Sequence, residues 1–400
     1  CYVLKGHSHI MSIKKKGGVL VFFGLVICFA IIFFVINGKK DSDRTFINPE
    51  HIKQAKYVVS VGEDLKEGSY LLLIDKYGKC IETIKYKGMS IDSINESSKG
   101  DFFLHSRRLN KHFRLEQNGK LHAFSLLKNK YSDEDWQGMV SWCASTCKNG
   151  LIETMNIGNM GKKYLSNVLY RKKHDSNRTE IIFKDANPFA LLEKGNKIFV
   201  GTYFEKTDEM GLSVINKNKA DLKKIKLNCQ YASDSMQLFS VGNEVIIYGD
   251  NKNKYNNKSA HFKTQITAVN TETYKIKKLI FKDKVLHIAY PNGELLNVVT
   301  ADGYLYKYDS KLKLISRRNV KRSELYKNII SNDTDFTAES AKLNRENLYT
   351  WRVKGKSSKD LIGYIEEYDK NNLNCIQRVE VRLDEKYNCA GDEFAFSVRK

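Results

Sequence analysis

Seven times between residues 56 and 400 the chain repeats one pattern: an apolar run, a turn built on polar residues rich in Asp and Asn, and a second run that alternates apolar with polar. The pairs fall at residues 70–74 and 80–84, 113–115 and 121–124, 164–170 and 180–183, 212–215 and 222–225, 264–269 and 276–279, 304–308 and 312–315, and 362–365 and 375–379. Alternation with a period of two marks a strand with one buried face. Asp and Asn favour the turn because their side chains bond backbone N–H groups two residues on. Each unit therefore reads as a β-hairpin. Four units are preceded by a further apolar run, at residues 197–201, 244–248, 295–299 and 347–351, giving three to four strands every 40–60 residues. Helical periodicity is not sustained after residue 38; the clearest short helix opens at Asn48, which can cap it, with Pro49 at the first helical position.

An open stack of such hairpins leaves unpaired strand edges, and arranging the units radially removes most of that liability. The segment Asn292-Gly-Glu-Leu-Leu-Asn-Val-Val-Thr-Ala-Asp302-Gly303-Tyr-Leu-Tyr-Lys-Tyr-Asp309 resembles the second, third and fourth strands of a β-propeller blade, with Asp302-Gly303 as a turn between strands. The resemblance is to the architecture shared by WD40, YVTN and quinoprotein-like blades, and to no single family. The Gly-His and Trp-Asp signatures of WD40 repeats are missing, and the only tryptophans are Trp136, Trp142 and Trp351. It implies an all-β fold over residues 56–400, a propeller of about seven blades. Residues 56–61 are expected to pair with the C-terminal blade, near residues 347–353 or 394–398, and so lock the ring. A pair of β-sandwiches is the alternative fold.

Residues 17–38 contain no charge, and 19–36 form one apolar block. Roughly 20 apolar residues are needed for a helix to cross a bilayer of about 30 Å, so the block is long enough to span. It is longer than the core of a cleaved signal peptide, and Ile36-Asn37-Gly38-Lys39 is a poor cleavage site. The organisation read from this is a basic tail (1–16), a single transmembrane helix (17–38), a juxtamembrane linker (39–55) and the propeller (56–400). Met11 reads as a natural start. Lys5, Lys14, Lys15 and Lys16 before the block, against Lys39, Lys40 and Arg44 after it, favour the N-terminus inside and the domain on the extracytoplasmic side of the cytoplasmic membrane.

The chain carries a net charge of +21; residues 45–400 hold 60 of the 67 Lys and Arg and 44 of the 46 Asp and Glu, a net +16. That balance suits either a solvated basic surface or an anionic neighbour, and pairs such as Lys223-Lys224 and Arg317-Arg318 are scattered along the sequence. Beyond the apolar block lie Cys80, Cys143, Cys147, Cys229, Cys375 and Cys389. Their pairing is open; for Cys143 and Cys147 a local bridge and an inert pair are equally compatible with the spacing, which is not that of a zinc site.

Nucleophile-elbow, Walker and dinucleotide-binding motifs are missing, and no cofactor or metal is expected. Asp133, Glu134 and Asp135 open like a calcium loop, but Ala144 stands where the bidentate Glu belongs. The densest polar cluster, His105, Arg107, Arg108, His112 and Arg114, is the candidate anionic-ligand site, with an exposed strand and loop as the plainer reading. Tyr304, Tyr306 and Tyr308 share one strand face, as in packing between blades or a carbohydrate platform. Taken together, the sequence points to a non-enzymatic binding or scaffold module. Its expected partner is a protein or an anionic cell-envelope polymer, and no specific nucleic-acid binding is expected. The alternative is a propeller lyase or hydrolase with its active site in the central channel. That alternative requires three or more His, Asp or Glu side chains from non-adjacent repeats to converge near the axis; sequence order does not exclude this, but no such cluster is expected.

Overall fold

The computed structural model describes residues 46–399, apart from 64–65, 108–110, 126–139, 148–149, 161–162, 173–177, 220, 230–235, 250–263, 282–284, 331–335, 344–346, 354–359, 388 and 390–392. The proposed transmembrane segment 17–38, the calcium-like turn at Asp133 and Arg108 lie outside these residues. Among the described residues the strands form seven antiparallel sheets of four. Six are built from strands consecutive in sequence; the seventh joins Glu393–Val398 to Tyr57–Gly62, Ser69–Ile74 and Cys80–Tyr86. We number that sheet blade 1 and the rest blades 2 to 7 in chain order.

The first strand of each blade is innermost. In blades 2 to 7 these are Ile91–Glu96, Val140–Cys147, Ala186–Lys194, Gln237–Val241, Val285–Asn292 and Phe336–Leu343, and in blade 1 it is Glu393–Val398. Each touches the innermost strand of the next blade, and blade 7 touches blade 1, so the seven close a ring. The chain is a seven-bladed β-propeller. The repeated hairpins of the sequence are the third and outermost strands of the seven blades.

The turns form for the reason their composition implies. Asp309 Oδ1 accepts from Lys311 N at 2.9 Å and Lys313 N at 2.8 Å, and Asp75, Asn270 and Asp369 cap their own turns in the same way. The short helix is Pro49–Gln54, with Glu50 N donating to Asn48 Oδ1 at 3.0 Å. It presents Ile52 to a core shared by blades 1 and 2, which also takes in Ile47, Leu73, Leu104 and Leu115.

Ring closure is antiparallel and in register, with Val59 opposite Phe396 and Val61 opposite Phe394. Trp351 of blade 7 is fully buried and stacks on Phe394 at 3.7 Å between ring centroids. Gly363 allows this packing: a Cβ there would meet Cζ2 of Trp351 at 2.7 Å. Tyr306 and Tyr308 of blade 6 pack edge-on against Phe281 of blade 5, each at 6.0 Å, which is packing between blades. Cys80, Cys143, Cys375 and Cys389 form no disulfide. A local Cys143–Cys147 bridge does not form: both lie on the strand Val140–Cys147, where four residues span about 13 Å, beyond disulfide reach.

A second closure device is ionic. Glu367 of blade 7, 5% exposed, accepts from Lys56 Nζ at 2.6 Å, Tyr349 Oη at 2.9 Å and Asn347 Nδ2 at 2.5 Å. Burial pushes its carboxyl upward, but Lys56, Tyr349 and Asn347 outweigh it and hold the group below the ordinary value of 4.5. A carboxylate lowered in the folded state stabilises above its unfolded value, and that stabilisation is lost as pH falls through the folded one. Glu367→Gln is therefore expected to lower the urea midpoint at pH 7, and the gap to wild type should close as the pH falls below 4.5. A gap unchanged between pH 7 and pH 3 would remove Glu367 from the account.

Candidate functional site

The sequence cluster around His105 falls on the second and third strands of blade 2, Phe102–Ser106 and Lys111–Leu115. Register pairs Phe103 with Arg114 and Leu104 with Phe113. Strand alternation then sends Phe102, Leu104, Phe113 and Leu115 into the core shared with blade 1, and Phe103, His105, His112 and Arg114 to the opposite face. His105 and His112 meet there with ring centroids 4.8 Å apart. Both are buried, so the exposed-strand reading does not hold for them.

The arginines do not join them. Arg114 is held by Asp101, with Nη2 at 2.5 Å and Nε at 3.2 Å from Oδ2, and lies over the Phe103 ring. Arg107 is exposed, its Nε 4.0 Å from Asp92 Oδ2.

Four residues outside the sequence cluster complete the site: Asp92 on the innermost strand of blade 2, Ser141 on the innermost strand of blade 3, and Glu153 and Thr154 on the second strand of blade 3, Gly150–Met160. His105 Nδ1 bonds Asp92 Oδ1, and its Nε2 lies 2.6 Å from Ser141 Oγ, which is also 3.2 Å from the Thr154 carbonyl. His112 Nδ1 accepts from the backbone N–H of Ser106 at 3.1 Å, so Nε2 carries the proton donated to Glu153 Oε2. Backbone bonds fix the frame: Arg107 N donates to the Ser90 carbonyl at 2.9 Å, and Ser141 N to the Arg107 carbonyl at 3.2 Å.

His, Asp and Glu from two blades thus converge at the seam between blades 2 and 3, a place different from the axial channel at which the enzyme reading requires them. The order Asp92–His105–Ser141 is that of a general-base relay. Yet Ser141 is 1% exposed, and both ring nitrogens of both histidines are engaged by protein groups. Beside them burial pushes the Cys143 thiol up to about 12, against a partial offset from the Thr154 hydroxyl, which disfavours the thiolate at neutral pH. Among the described residues no group of three or more His, Cys, Asp or Glu has metal-binding geometry. As arranged, the seam ties blade 2 to blade 3.

A groove of about 590 Å³ runs between the outermost strand of blade 1 and the residues that follow blade 7. Its two cations are paired: Arg382 bonds Asp360 and Glu380, each at 2.7 Å, and Lys386 bonds Asp384 at 3.0 Å.

No family model matches the chain, and neither does any curated protein sequence. Solved structures similar to it include apo AztD from Citrobacter koseri, at 12% identity and TM-score 0.46 over 86% of this chain and 98% of that one. A virginiamycin B lyase from Staphylococcus aureus, solved with quinupristin, matches at 12% and 0.46 over 81% and 88%. BamB from Moraxella catarrhalis matches at 11% and 0.40 over 74% and 88%. At these levels the similarity carries no argument, and the fold and blade count rest on the strand pairing itself.

Proposed function

We propose that the protein is a non-enzymatic binding or scaffold module, tethered by residues 17–38 and displayed on the extracytoplasmic side of the cytoplasmic membrane. Its partner is a protein or an anionic polymer of the cell envelope. The observation that carries this reading is the state of the chemically versatile groups. His105, His112, Ser141 and Glu153 are buried and engaged with one another or with backbone, whereas cations such as Lys223, Lys224, Lys277 and Arg318 are exposed. A membrane-impermeant cross-linker added to intact cells should join the domain to discrete partners absent from a control carrying the anchor alone. If the full chain gives the same products as that control, the displayed-module reading fails.

A second reading, a hydrolase, is favoured by one feature, the Asp92–His105–Ser141 relay. It requires Ser141 Oγ to become accessible. A fluorophosphonate probe that labels the wild type and not Ser141→Ala would establish it; the binding-module reading expects no labelling of either.

A further inference from the structure

The basic pairs that are scattered in sequence come together in the ring. The outermost strands of blades 4, 5 and 6, Asp221–Cys229, Ile276–Phe281 and Leu314–Asn319, hold seven Lys and Arg and one Asp. Those of blades 1 and 2, Cys80–Tyr86 and Leu121–Ser125, hold one Lys and one Glu. Charged residues on edge strands ordinarily guard against sheet-to-sheet pairing, but that duty falls equally on every blade and does not account for the asymmetry.

The cations are exposed. Lys223-Lys224, Lys277-Lys278 and Arg317-Arg318 are adjacent in sequence, so each pair sends one side chain to either face of its strand. Lys223 Nζ lies 4.0 Å from the centroid of the Tyr274 ring, which links blade 4 to the turn entering the outermost strand of blade 5. The Arg317 guanidinium lies 3.5 Å from the centroid of Tyr304. The carboxylates of Asp302 and Glu209 come no nearer than 3.8 Å to Arg317 and 3.9 Å to Lys226, too far for strong charge-assisted bonds.

The belt is centred on blade 5. In a ring of seven this is diametrically opposite the junction of blades 1 and 2, where Ile47 and Ile52 pack and the chain enters the domain. It is also convex: neighbouring blades are turned by about 51°, so blades 4 to 6 span an arc of about 100°. A flat bilayer tangent to such a rim meets one blade and falls away from the other two, whereas a flexible chain can follow all three. Paired cations on three successive blades call for closely spaced charges, which a phosphodiester chain supplies at every repeat.

We propose that the outer rim of blades 4–6 is a binding belt for a flexible, phosphodiester-type polyanion. The proposal rests on the binding-module reading and gives its partner a chemical class and a surface. The test uses the full chain in neutral detergent and fluorescent long-chain inorganic polyphosphate as probe, titrated from low to physiological salt. Wild type should bind with an affinity that falls steeply with salt, as expected when cations release counterions from a polyanion. The variant Lys223→Gln/Lys224→Gln/Lys277→Gln/Arg318→Gln should bind at least about ten-fold more weakly with a shallower salt slope. Lys76→Gln/Lys79→Gln/Lys85→Gln/Lys120→Gln, equal in charge but placed on blades 1 and 2, should change affinity less than about two-fold. Unchanged thermal midpoints confirm that both variants fold. Equal losses in the two variants would reduce the effect to net charge and overturn the belt. So would absence of binding at physiological salt, tighter binding to poly-glutamate, or equal capture by phosphatidylglycerol vesicles. None of these outcomes would alter the cross-linking result in intact cells, so the belt can fail while the module reading stands.

Discussion

Deletion of residues 393–400 is expected to abolish cooperative folding of the whole domain, not to fray one end. The lost strand is the innermost of blade 1 and pairs with Tyr57–Gly62 along its full length. With it go Phe396 and Val398, buried in the core between blades 7 and 1, and Phe394, which stacks on Trp351. Full burial of a large apolar side chain contributes about 1.5–3 kcal/mol, so Phe396 and Val398 account for roughly 3–6 kcal/mol before ordering entropy is subtracted, and the partly buried Phe394 adds to this. Typical domain stabilities are only about 5–15 kcal/mol. The deletion also uncovers Val59, Val61 and Trp351 and leaves an unpaired edge that recruits other chains. The truncated protein should aggregate or show no sharp thermal transition. A midpoint equal to that of the full chain would mean that the ring does not depend on this strand.

Trp351→Ala should cost about 3–5 kcal/mol, the range for truncating a large buried aromatic. Trp351 is among the largest fully buried side chains and joins blade 7 to the closing strand through Phe394 and Phe396. Its indole nitrogen has no hydrogen-bond partner among the described residues, so Trp351→Phe gives up area without giving up a bond and should cost far less. Urea midpoints that fall in the order wild type, Phe, Ala, with an unchanged denaturant slope, are the expected result. Equal losses for Phe and Ala would show that shape-specific stacking, not buried area, dominates there.

The outer hairpin of every blade could be read from sequence because it is bounded by Asx turns and packs one face. Cys375–Arg382 buries Val379 and Val381 and exposes Arg378, Glu380 and Arg382, the alternation a half-buried strand imposes. Most innermost strands were not legible. They face the channel, so period-two hydrophobicity is not required of them; Ile91–Glu96 and Phe336–Leu343 are mixed throughout. Pro188 and Pro291 lie in two further inner strands, where proline argues against a strand when read locally; Pro188 sits beside a register shift.

The seam was half legible for a related reason. His105 and His112 drew notice because they lie close together among arginines, and hairpin register brings their rings together. Their acidic partners, Asp92 and Glu153, and the Ser141 hydroxyl come from other strands, two of them in the next blade. No local spacing encodes a contact made when two blades dock. The same holds for the rim: Lys223-Lys224 and Arg317-Arg318 are almost a hundred residues apart, and only the ring places them on the outer edges of blades 4 and 6, either side of blade 5.

The closure of the ring by the terminal strands is tested most directly by amide hydrogen exchange of the full chain. The amides of Val59 and Val61 lie in a strand bonded on both sides, to Glu393–Val398 and to Ser69–Ile74. They and the ladder-bonded amides of Ala395 to Val398 should exchange together, at a rate set by global unfolding. Exchange of residues 395–398 in seconds, while the rest of blade 1 stays protected, would mean that the C-terminal strand is not the lock and that the closed-ring account is wrong.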